Sequence, residues 1–161
     1  MDERRDRRRV ISEASGFAAI APFAPRFPFE TWILPERHRS AFEECDVDEI
    51  RALAALVVDF LRRMNAVLGM PPFNFMLHTA PLHDGPLDHF HWHLEIIPKL
   101  TRVAGYEWGS GFFINPVPPE DAAAALRDAG APVVLVPLFM AALRSSMEMP
   151  RAHMADGFAL M

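Results

Sequence analysis

Between Asp46 and Gly69 the apolar residues Ile50, Leu53, Val57, Phe60, Leu61, Met64 and Leu68 return at helical spacing. A stripe of that period turns one side of a helix toward a core. Asp46 followed by Glu49 forms a capping-box arrangement with aspartate as the cap, and Gly69-Met-Pro-Pro ends the run. The pattern predicts a helix of about six turns.

Elsewhere the period is two. "RRVISEASGFAAIAPF" predicts two short strands around a turn at Ser15-Gly16, and "ETWILP" a third strand closed by Pro35. In "FNFMLHTA", Phe73, Phe75 and Leu77 fall on one face, while Asn74, Met76 and His78 fall on the other. "HFHWHLEIIP" alternates too, placing His89, His91, His93 and Glu95 opposite Phe90, Trp92, Leu94 and Ile96. "YEWGSGFFINPV" is expected to be a last strand, with Gly109 and Gly111 marking a bulge or a close approach to ligand. "PPEDAAAALRDAG" predicts a short helix with proline early and Gly130 past its end. The expected fold class is therefore α+β: an antiparallel sheet of about five strands, one long helix across it and a shorter one near the end.

Composition narrows the picture. A chain of 161 residues suits one domain, and a net charge of -5 argues against a broad nucleic-acid surface. The run "RRDRRR" reads as a solvated basic arm, here taken as residues 1–7, ahead of a domain over 8–130. Periodicity fades after about residue 131, so 131–161 is treated as a tail of uncertain order. Cys45 is the single cysteine, which leaves no internal disulfide and suits a reducing cytoplasm. The most apolar run, "PVVLVPLFMAAL", is too short for a membrane span, and a soluble protein is expected.

The histidine strand carries the candidate chemistry. Each protonated imidazole disfavours protonation of the next, so a row of them suggests something that attracts ring nitrogen: a divalent metal or a phosphoryl group. An antiparallel hairpin across "PLHDGPLD" would bring His78 beside the start of "HFHWH". Zinc or iron(II) could then be held by His78 with two histidines spaced i and i+2. Alternatively, a central histidine could attack a phosphate. Spacing leaves both open. His38, at a strand end, and Asn74, on the histidine side, could contribute. His83, Cys45 and His153 carry no particular role.

The segments "RVISEASGFAAIAPFAPRFPFETWILPERH", "FNFMLHTAP", "HWHLEIIPKLTRVAGYEWGSGFFIN" and "PPEDAAAALR", in that order, resemble the C-terminal half of galactose-1-phosphate uridylyltransferase, of the histidine-triad superfamily. The resemblance implies UMP transfer between UDP-glucose and galactose 1-phosphate, in galactose metabolism, by a dimeric nucleotidyltransferase. It implies a divalent metal, zinc or iron, on His78, His91 and His93, and hexose contacts from Tyr106 and Glu107 supplied to a partner's active site. The family's His-Pro-His nucleophile has no match in this chain, nor does the fourth metal ligand, a glutamate, whose place falls to Glu95 or water. A homodimer, or association with a missing N-terminal half, would complete the site around a nucleotide sugar or sugar phosphate. His89 supplies a departure: His-φ-His-φ-His is the pattern of stand-alone histidine-triad hydrolases, in which His91 would be the nucleophile. A non-catalytic, metal-stabilised module is the third reading. The closer overall match favours metal on His91.

Overall fold

A computed structural model describes residues 6–82 and 87–130 of the chain. The expected tail over 131–161, most of the basic arm, His83 and His153 lie outside the described residues. Five strands form one sheet: β1 (Val10–Ala14), β2 (Phe17–Ile20), β3 (Thr31–Pro35), β4 (Phe73–His78) and β5 (His93–Pro98). Their order is β1-β2-β3-β5-β4, and each adjacent pair is antiparallel. The fold is α+β with a five-stranded antiparallel sheet, as the sequence pattern predicts. Ser15 and Gly16 both have positive φ (50° and 84°) at the β1–β2 turn, the twist a two-residue hairpin loop requires.

The long helix, α1 (Val47–Leu68), carries both halves of the capping box. Asp46 accepts from the Asp48 and Glu49 amides, and Glu49 accepts from the Asp46 amide. Gly69 ends the helix in the left-handed region, at φ 72°. Leu53, Leu56, Phe60 and Met64 are its buried residues, whereas Ile50 at the first turn is exposed. They pack on the sheet face built from Phe17, Ala19, Ile33, Leu94 and Ile96. Burying a side chain of that size contributes roughly 1.5–3 kcal/mol, and this layer supplies the core.

Two expectations need correction. "YEWGSGFFINPV" contains no strand: Gly105–Ser110 is a short helix, α2, ended by Gly111 at φ 73°. Glu107 sets this local fold by accepting from the Ala104 and Ile114 amides. Gly111 thus serves a helix end rather than a bulge. Secondly, the basic run is not wholly solvated. Arg9 is 2% exposed and reaches Glu120 at 2.6 Å. Glu120 lies in the first turn of α3 (Pro119–Asp128), the expected short helix. Arg127 in turn donates to the Val10 carbonyl, so α3 is clasped to β1 at both ends.

Candidate functional site

The β4–β5 hairpin places His78 directly opposite His93. The hairpin expectation holds, with one change of partner: His78 meets the last histidine of "HFHWH", not the first. β5 begins only at His93, so His89 and His91 precede the strand instead of continuing its face. The cause is local. The β3–β5 ladder runs out at Ile33 opposite Leu94, and the Trp92 amide turns to the Arg39 carbonyl at 2.9 Å. Trp92 itself is fully buried, as its place on the apolar face predicts.

On the sheet face away from α1, three rings stack. Trp32 of β3 lies 4.4 Å from His93 between ring centres, inclined by 25°, and His93 lies 4.6 Å from His78, inclined by 19°. Beneath them sits Glu95, 2% exposed, which takes His78 Nε2 at 2.8 Å on one oxygen and Arg26 Nη2 at 2.7 Å on the other. A second buried carboxyl, Glu30, accepts from the Arg26 and Phe27 amides at 2.8 and 3.2 Å, and from the Trp32 indole nitrogen at 3.2 Å. The residues close a circuit: Glu30, Trp32, His93, His78, Glu95, Arg26 and back to Glu30. Phe29, buried at φ 61°, turns the chain so that Glu30 points inward. A bulky residue in that region costs of order 1–3 kcal/mol, and such cost collects where geometry matters.

The carboxyls divide their roles. Burial and the neighbouring Glu95 raise the pKa of Glu30. Burial pushes Glu95 up as well, but hydrogen bonds from His78 and Arg26 outweigh it and hold Glu95 below the usual carboxylate range. Glu95 is the anion, so His78 Nε2 donates and the free lone pair of a neutral His78 is on Nδ1. His93 Nδ1 faces the His91 carbonyl at 3.1 Å, which fixes its proton there and leaves Nε2 as the lone pair. Burial lowers the pKa of His93, and His78 adds to the lowering.

His91 stands apart from this stack. Its ring meets His38 edge-on at 5.0 Å, and its Nε2 is buried without a hydrogen-bond partner among the described residues. Burial, then His38, lowers its pKa. The donor chemistry of His78, His91 and His93 suits a divalent ion, because each ring keeps a nitrogen lone pair. Their arrangement does not gather around one. Two nearly parallel stacked rings keep their lone pairs in planes that do not meet near the pair, whereas a coordination bond of about 2.0–2.1 Å lies in the plane of its ring. Among the described residues no three His, Cys, Asp or Glu side chains group at metal-binding spacing.

Asn74 is exposed on edge strand β4. Tyr106 and Glu107 lie on α2, which buries none of its residues. The sequence reading missed Arg26, Glu30 and Trp32 as members of the site. A usable signal was the charged pair Arg26 and Glu30 inside an otherwise apolar, proline-rich loop.

No protein-family model matches the chain. It is 43% identical over 121 residues to ADP-glucose phosphorylase of Arabidopsis thaliana, covering 74% of this chain and 34% of that protein. A crystal structure of that enzyme with bound ADP-glucose superimposes with a TM-score of 0.73 over 78% of this chain and 42% of the other. Galactose-1-phosphate uridylyltransferase of Thermotoga maritima is 34% identical over 128 residues, covering 74% of this chain and 40% of that protein. A zinc-bound histidine triad protein from Mycobacterium smegmatis, 21% identical, shares the fold with a TM-score of 0.54 over 76% of this chain and 83% of that one. The chain spans roughly two fifths or less of the length of the curated relatives named here. Among the described residues no helix is long and apolar enough to cross a membrane. With the imidazole hairpin, the sheet order and these relatives together, the chain belongs to the galactose-1-phosphate uridylyltransferase-like family, matching part of its members' length.

Proposed function

We propose that the chain is the imidazole-bearing, sugar-contacting half of a nucleotide-sugar transferase, completed by a second half. The reaction proposed is transfer of UMP between UDP-glucose and galactose 1-phosphate, with ADP-glucose as the second nucleotide sugar to test, since the relative at 43% identity is named for it. Tyr106 and Glu107 would contact the hexose, with Asn74 nearby. The observation that carries this reading is an edge of the sheet that no described residue covers. β4 is exposed along Phe73–Leu77, with Phe75 66% exposed, and Trp108 on α2 is 79% exposed. Apolar groups of that size on a strand edge call for a covering partner. That partner would be a separate half bearing the His-Pro-His nucleophile, with or without a second copy of this chain beside it.

The experiment is a transfer assay with UDP-glucose or ADP-glucose as donor and a sugar phosphate or inorganic phosphate as acceptor. The purified chain alone is expected to be inactive, and adding a His-Pro-His half from a relative is expected to restore turnover. Unaided turnover would overturn the reading. In that event His91→Asn decides whether His91 is the nucleophile of a stand-alone hydrolase or transferase. The buried Nε2 of His91 weighs against that role, because an attacking nitrogen must reach phosphorus.

A zinc or iron(II) ion on His78, His91 and His93 belongs to the same proposal, with two conditions set by the geometry: His78 must turn off Glu95 and His93, and His91, which stands apart against His38, must bring its buried Nε2 to the same point. Metal analysis of the purified chain, beside His78→Ala and His93→Ala, tests it. Stoichiometric metal lost in both variants supports the site, and a metal-free parent chain removes it.

A further inference from the structure

We propose that Trp32 and Glu30 are positioning residues for the His78–His93 pair: the indole, anchored by Glu30, holds His93 between two planes so that its Nε2 is presented in one orientation. This deepens the imidazole-site reading above and rests on it. Three observations carry it. The indole nitrogen donates to a carboxyl that is 3% exposed, so the plane of Trp32 is fixed at its far edge. The ring of His93 is then sandwiched, with Trp32 on one side at 4.4 Å and His78 on the other at 4.6 Å. Rotation of His93 about its ring axis is blocked by the Nδ1 contact to the His91 carbonyl. The outer plane, His78, is fixed in turn by Glu95, and Glu95 by Arg26, whose own amide returns to Glu30. Each ring is thus held both by a face and by an edge, the support a group needs to present one atom at a defined angle.

Sheet geometry explains how two carboxylic side chains support one stack. Trp32 and Glu95 are direct cross-strand partners, and Met76 stands opposite Glu95 on its other side. The Phe29 turn, at φ 61°, brings Glu30 to the Trp32 end of that row.

The test uses the full chain, labelled with nitrogen-15, and histidine side-chain NMR that separates protonated from lone-pair ring nitrogens. The parent chain is expected to show His93 as the Nδ1–H form and His78 as the Nε2–H form, with ring protons shifted by the stack. Trp32→Leu is expected to collapse the two His93 nitrogens toward an averaged signal and to abolish the ring shift. Trp32→Phe, which keeps a stacking face but loses the N–H, should retain the shift and lose the single protonated form. Glu30→Gln keeps an acceptor oxygen and is expected to preserve both. Leu56→Ala, in the core beyond the opposite sheet face, controls for lost stability and should leave both imidazoles unchanged. Should Trp32→Leu fail to fold, Trp32→Phe alone decides. His93 signals identical to the parent in the folded Trp32 variants overturn the proposal. Zinc titration of the same samples separates the two readings. A parent chain that binds no zinc but shows the fixed tautomers ends the metal reading and leaves this one standing. Zinc uptake with unchanged His93 signals in Trp32→Leu does the reverse.

Discussion

The two ends of the sheet are built to different standards. At the β1–β2–β3 end, α1 and α3 cover one face, and Phe60, Met64 and Leu126 are fully excluded from water. At the β4 end the same face carries Phe73, Phe75 and Leu77 in the open, although β5 beside them buries Leu94 and Ile96. The alternation of β4 is as regular as that of any strand in the sheet. What it lacks among the described residues is a second layer, since α1 packs over the other end. A strand pattern declares which face wants burial; only the packed neighbours decide whether this chain supplies it.

Substitutions at four positions sharpen or break that contrast. Phe60→Ala, in the covered half, is expected to cost about 3–5 kcal/mol, read from urea unfolding. A loss under about 1 kcal/mol would mean that the α1 layer is not the core. Next is Glu120→Ala, which removes the Glu120 carboxylate from the buried Arg9 guanidinium at about 1–2 kcal/mol, less than for a fully buried pair because Glu120 is partly open to water. Hydrogen bonding from Arg9 lowers the Glu120 pKa in the folded protein. The clasp therefore contributes fully above the unfolded carboxylate value and fades as pH falls through the folded one. Glu120→Gln should flatten that acid limb of the stability profile. Asp46→Ala removes the helix cap for about 1 kcal/mol. The smallest effect belongs to the open half: Phe75→Ser should change monomer stability by no more than about 0.5 kcal/mol. Sedimentation should nevertheless show less self-association than in the parent chain. Equal losses from Phe60→Ala and Phe75→Ser would dissolve the comparison.

Local rules carried much of this fold. The Asp46–Glu49 box, the Gly69 stop, the Ser15-Gly16 turn and the alternation of β4 each act within a few residues, and each could be read from the chain. "YEWGSGFFINPV" misled because aromatic residues favour strands in general, while here Glu107 closes a helical turn through two amides. The start of β5 was misplaced for a related reason. Alternation continues through His89 and His91, but the ladder that would make it a strand ends at Leu94. Of the site, the meeting of His78 with the histidine segment was legible, because hairpin pairing follows from two adjacent strands, but its register, with His93 opposite His78, was not. The supporting circuit was not. Arg26 and Glu95 are 69 residues apart, and their meeting depends on a left-handed Phe29 that no periodicity announces.

The clasp between β1 and α3 has a consequence for how such a domain travels. Arg9 on Glu120, and Arg127 on the Val10 carbonyl, bring the first strand and the last described helix to one corner. A unit whose entry and exit points adjoin can be spliced into a host polypeptide as a cassette without stretching either junction.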